Sequence, residues 1–151
     1  MNLAVSIDEE IFHLHYNDEY KELPIGERIA ILHKSIALFE LIFEDGEYWQ
    51  VAVNVSERYN WLAELYTLAG DKESALQMLE KSVPYAVMYD NQPEKAVYTS
   101  VLFRGLEFDR THYGKDYTES WCYRMLNNLQ IPNFDPIRAD PRFAAVEKSL
   151  S

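Results

Sequence analysis

Residues 59–82 read YNWLAELYTLAGDKESALQMLEKS, and their spacing decides the fold. Tyr59, Leu62, Ala63 and Tyr66 recur at three- and four-residue intervals, so they share one face of a helix. Ala75, Met78, Leu79, Ser82 and Ala86 share one face of the next. Between the two, Gly70 can adopt the left-handed conformation that a tight turn needs, and Asp71 is suited to cap the second helix. Small Ala63 and Ala75 let two antiparallel helices approach closely, while Tyr66 and Leu79 fill the space beside them.

The same periodicity extends upstream. Ile29, Leu32, Ile36, Phe39 and Phe43 form one stripe of a helix over residues 27–45. Ile31, Leu38 and Ile42 widen that stripe, which implies packing on two neighbours, and Asp45-Gly46 stops the helix. Val51, Val53 and Val55 alternate as in a strand. However, Ala52, Val55, Tyr59, Leu62, Tyr66 and Ala69 continue a helical stripe with no turn residue between them. One helix over residues 47–69 is therefore expected. In it Trp61, Leu65 and Leu68 face the preceding helix. At the N-terminus Ile7 to Tyr20 reads as a short helix, with Ser6 and Glu9 as its capping box and Pro24 and Gly26 beyond it.

Downstream, the helix capped by Asp71 runs to about Tyr89, and Pro84 removes one of its hydrogen bonds and kinks it. A helix over Glu94 to about Phe103 and a long loop over residues 104–117 follow. Asp116 or Thr118 starts a helix through Leu129, with Trp121, Cys122, Met125, Leu126 and Leu129 inward. Asp140 caps a last helix that opens on Pro141 and buries Phe143, Val146 and Leu150. The expectation is a single all-α domain over residues 1–151, with six or seven short helices and no sheet.

Composition limits what such a domain can do. The 151 residues are 48% hydrophobic and 14% aromatic, which excludes intrinsic disorder. One cysteine excludes an internal disulfide framework. The net charge is −11, and residues 1–50 alone hold 11 acids against 3 bases. A surface that acidic repels phosphate backbones, so nucleic-acid binding by this chain alone is not expected. It does suit a basic or neutral partner. No segment has the roughly 18 apolar residues of a membrane span. The N-terminus lacks the basic region and apolar core of a signal peptide, so a cytoplasmic protein is expected.

Chemistry is thinly represented. His13 and His15 point about 200° apart on a helix and cannot share a metal, and His33 and His112 stand alone. Cys122 lies on an apolar helical face, where a buried, inert thiol is expected. There is no glycine-rich phosphate loop, nucleophile elbow or paired carboxylate arrangement. Neither an enzyme nor a cofactor site is expected.

The pair at 59–82 resembles a tetratricopeptide repeat, with Tyr59 where the repeat usually starts on tryptophan, Ser82 at a late small position and no closing proline. Wider wording resembles one group: Leu41 to Tyr48, Leu62 to Tyr66, Gly70 to Leu76, Tyr98 to Leu102 and Phe134 to Phe143. That group is the helical C-terminal region of helix-turn-helix transcriptional regulators of the xenobiotic-response-element (XRE) type. The resemblance implies a right-handed superhelical array of antiparallel helix pairs. It also implies a sensing, dimerisation or protein-contact role, with the DNA-binding helix-turn-helix absent from residues 1–26. In tetratricopeptide folds the first-helix stripe lines a concave groove. Here that stripe is Glu57, Asn60, Glu64 and Thr67, and Asn60 stands where an asparagine often bonds a peptide backbone. Basic residues that would clamp a C-terminal carboxylate are absent from it. The expected partner is a peptide or protein, a second protomer included. The alternative is a free-standing adaptor unconnected with transcription, which an upstream reading frame would distinguish.

Overall fold

The computed structural model describes residues 21–112 and 119–151, and within them the chain is mostly helical. The helix expected over Ile7–Tyr20 lies outside these residues, as do His13 and His15. Helix α1 spans Ile25–Ile42, α2 Ala52–Leu68, α3 Lys72–Asp90, α4 Trp121–Asn128 and α5 Pro141–Leu150. A short antiparallel pair, β1 (Lys95–Val97) and β2 (Glu107–Asp109), lies between α3 and α4. The described residues thus hold five α-helices and a two-stranded sheet, where six or seven helices and no sheet are expected from sequence.

The α2–α3 hairpin is the centre of the molecule, and it forms for the reasons its sequence suggests. Gly70 sits at φ +81°. Its N–H donates to Thr67 O at 3.0 Å, and the N–H of Asp71 reaches back to Tyr66 O at 2.9 Å. These two bonds make a Schellman motif, which satisfies carbonyls that the helix end would leave orphaned. Asp71 then caps α3 by accepting from Ser74 N at 3.1 Å. Leu62, Ala63, Ala75, Leu79 and Ser82 are all 0% exposed, so the small residues do sit where the helices press together. Each leucine buried here contributes about 1.5–3 kcal/mol relative to exposure.

α1 packs on α2, with Leu32, Ile36, Phe39 and Ile42 buried. α2 does not begin at residue 47. The chain enters it through a 3-10 turn at Trp49–Val51, where Trp49 has a φ of 41°, and no side chain caps the helix start. The strand alternative for Val51–Val55 fails because Ala52 and Val55 both point into the core at 0% exposure. Leu65 is buried, whereas Leu68 is 52% exposed. α3 continues through Pro84 to Asp90. Pro84 is on the exposed side, while Ala86 and Tyr89 beyond it are held in the core. That burial offsets the lost backbone bond.

The helix expected over Glu94–Phe103 is a hairpin instead. Val97, Tyr98 and Thr99 favour extended backbone. Gly105, at φ +85°, turns the chain so that Tyr98 N donates to Leu106 O at 2.9 Å. Lys95 pairs with Asp109 at 3.1 Å across the ladder. Phe103 anchors the hairpin by stacking on Phe43, with ring centroids 5.3 Å apart at 7°.

Two polar clamps fix the C-terminal third. Ser120 caps α4 by accepting from Tyr123 N at 3.1 Å, and Asp116 and Thr118, expected to start this helix, lie outside the described residues. Arg142 binds Glu80 through two nitrogens at 2.7 Å each and Glu73 at 2.7 Å, which docks α5 on α3.

Candidate binding site

On α2, Glu57, Asn60 and Trp61 stand at i, i+3 and i+4, so they share a face. On α4, Trp121, Arg124, Met125 and Asn128 stand at i, i+3, i+4 and i+7, and they share another. The two faces meet across a cavity of about 400 Å³, which Ile131 also lines. It is the size of a small-ligand or peptide side-chain pocket, and it mixes apolar walls with a few polar groups, as such pockets do.

Asn60 is the polar group that stands out. It is 4% exposed, and its Oδ1 has no hydrogen-bond partner among the described residues. An orphaned buried acceptor costs about 1–3 kcal/mol, so almost all such atoms in folded proteins are bonded. A side-chain amide offers an acceptor and a donor together, which matches a peptide unit or another amide.

The walls are held in place by their own contacts. The indole N–H of Trp121 donates to Ser56 Oγ at 3.1 Å, leaving the ring to the cavity. The Arg124 guanidinium lies 5.1 Å over that ring and 3.7 Å from Glu119. On the opposite wall Arg58, 0% exposed, lies 4.4 Å over Trp61 and pairs with Glu57 at 3.0 Å. Asp90, the last residue of α3, secures the start of α4. It accepts from Trp121 N at 2.7 Å, Cys122 N at 3.0 Å and Ser120 Oγ at 2.7 Å. Partial burial would raise its pKa, but these hydrogen bonds outweigh that and hold it below 3.8.

The four stripe residues have different fates. Glu57 and Asn60 line the cavity together. Glu64 lies outside its lining, and its carboxylate accepts from Asn133 Nδ2 at 2.5 Å, tying α2 to the Pro132–Phe134 turn. Thr67 is 5% exposed, and its hydroxyl donates to Ala63 O at 2.8 Å within the same helix. The stripe therefore does not face an open groove along its length: α4 lies across the cavity from Glu57 and Asn60, and the Pro132–Phe134 turn is bonded to Glu64. Trp61, expected against the preceding helix, lines this cavity. The α4 wall was not foreseen as a site at all, since Trp121 and Met125 read simply as core. Polar Arg124 and Asn128 at helical spacing from Trp121 were the available signal.

Other candidates are quiet. Cys122 is half-buried rather than buried, and burial together with the neighbouring Asp90 pushes its thiol up to about 12, so it stays protonated. His33 Nε2 lies 3.0 Å from Tyr66 Oη. Among the described residues no group of three or more His, Cys, Asp or Glu side chains could hold a metal, and no helix is long and apolar enough to cross a membrane.

No family model, no curated protein and no solved structure matches this chain.

Proposed function

We propose that the chain is a regulatory interaction domain that takes a segment of a peptide or protein partner into the α2–α4 cavity, with Asn60 bonding the partner's backbone amide. The observation that carries this reading is the buried, unpartnered Oδ1 of Asn60 on the cavity wall. In this reading the helix pairs form a tetratricopeptide-like array, and the domain is the sensing part of an XRE-type helix-turn-helix regulator. The tight α2–α3 pair, with Ala63 and Ala75 at its contact and Gly70 in its turn, supports the first point. The wording shared with the C-terminal regions of such regulators supports the second. With a net charge of −11 the domain repels DNA, so it acts on transcription only through an attached head.

Selection of phage-displayed heptapeptides on the purified chain tests the binding claim. Peptides that bind the wild type and lose at least about tenfold affinity on Asn60→Ala are the expected result, since one buried amide bond accounts for that much. Selected peptides indifferent to Asn60→Ala would contradict it. A gel-retardation assay at physiological salt tests the regulatory claim: tight sequence-specific DNA binding by residues 1–151 alone would overturn it.

A further inference from the structure

A second groove lies on the other side of the hairpin, bordered by α1, the Gly46–Tyr48 corner and α3. Its volume is about 710 Å³. Its floor is aromatic: Tyr48 meets Tyr85 edge to face at 5.2 Å and 89°, and Tyr59 stacks on Tyr85 at 5.8 Å and 26°. Burial raises the pKa of Tyr48 and of Tyr59, so these rings stay neutral phenols. Two carboxylates line the groove: Glu40 of α1, and Glu44 in the turn just past its end, whose Oε1 also accepts from Val101 N at 2.8 Å. Glu40 Oε1 lies 3.5 Å from Tyr59 Oη, at the edge of the aromatic floor. One base faces these acids: Lys81, from α3, with its ammonium 5.9 Å over the Tyr59 ring.

Neutral aromatic faces with carboxylates beside them attract cations, and the attraction favours weakly hydrated, alkylated ones. Anions would meet two glutamates. Lys81 shows the preference directly, because it is an ammonium group already resting on the floor. It is also exposed and long, so swinging it into water costs little packing.

We propose that this groove is a binding site for a small organic ammonium ion, such as an alkylated amine, which displaces Lys81 from the Tyr59 ring. Lys81 is then a resident competitor that sets the affinity, and Glu40 supplies the counter-charge. The site is independent of Asn60, which lies on a different face of α2.

Isothermal titration with choline, and with its uncharged carbon isostere 3,3-dimethylbutan-1-ol, separates charge from shape. Choline should bind, and the isostere about tenfold or more weakly. Glu40→Gln should weaken choline severalfold. Lys81→Met, at an exposed position, should strengthen it severalfold by removing the competitor. Asn60→Ala should leave it unchanged. Equal binding of choline and the isostere would overturn the proposal, as would failure of Lys81→Met to bind choline. Weaker choline binding by Lys81→Met would also overturn it, because Lys81 would then be part of the site rather than its competitor.

Discussion

The indole N–H of Trp121 donates to the buried hydroxyl of Ser56 at 3.1 Å, and this bond joins two helices whose residues are 65 apart in the chain. The same hydroxyl lies 3.1 Å from Ser82 O and 3.0 Å from Met125 Sδ, so one side chain ties α2, α3 and α4 together behind the cavity. Ser56→Ala leaves the indole N–H unpaired and removes the tie. We expect a loss of about 1–2 kcal/mol, or roughly 2–8 °C in Tm for a chain of this size, read by thermal unfolding. Trp121 should also become more accessible to acrylamide quenching.

Asp90 makes a pH-dependent link between α3 and α4. Its pKa is depressed in the folded chain, so its contribution is fully present at pH values well above 3.8 and is lost as pH falls through the folded value. Asp90→Asn keeps the shape but weakens the bonds to the α4 N-terminus. It should destabilise the protein by about 1–2 kcal/mol at neutral pH. Denaturant titrations from pH 7 to pH 2 should show the wild-type advantage shrinking below 3.8. A constant gap across that range would contradict the assignment.

Gly70 isolates a purely conformational cost. A Cβ there would meet nothing within 4 Å, so only the positive φ opposes a side chain. Gly70→Ala should cost about 1 kcal/mol and Gly70→Asn clearly less, because asparagine tolerates the left-handed region. Chemical denaturation of the two variants checks the order.

Much of this architecture was legible because it is local. The stripe of Leu32, Ile36 and Phe39, the Gly70-Asp71 turn and the Asp140-Pro141 start are each decided by residues within a few positions of one another. The hairpin was not legible for the opposite reason. Lys95–Val97 becomes a strand by pairing with Glu107–Asp109, and by Phe103 stacking on Phe43, just past the end of α1. The start of α4 depends likewise on Asp90, some 30 residues earlier. Half of the candidate site was legible on α2. The other half required knowing that α4 lies across the cavity from Glu57 and Asn60, which turns Asn60 from a surface residue into a buried one.

The account rests on the Asn60 amide being a binding group rather than a structural one, and stability distinguishes the two without any ligand. Leucine has nearly the same shape and brings no unpaired oxygen into the core. Thermal unfolding of Asn60→Leu should therefore show a Tm equal to or about 2–4 °C above wild type, the gain from removing an orphaned buried acceptor of about 1 kcal/mol. A fall of that size or more would show that the amide is already engaged in holding the fold, and would contradict the account.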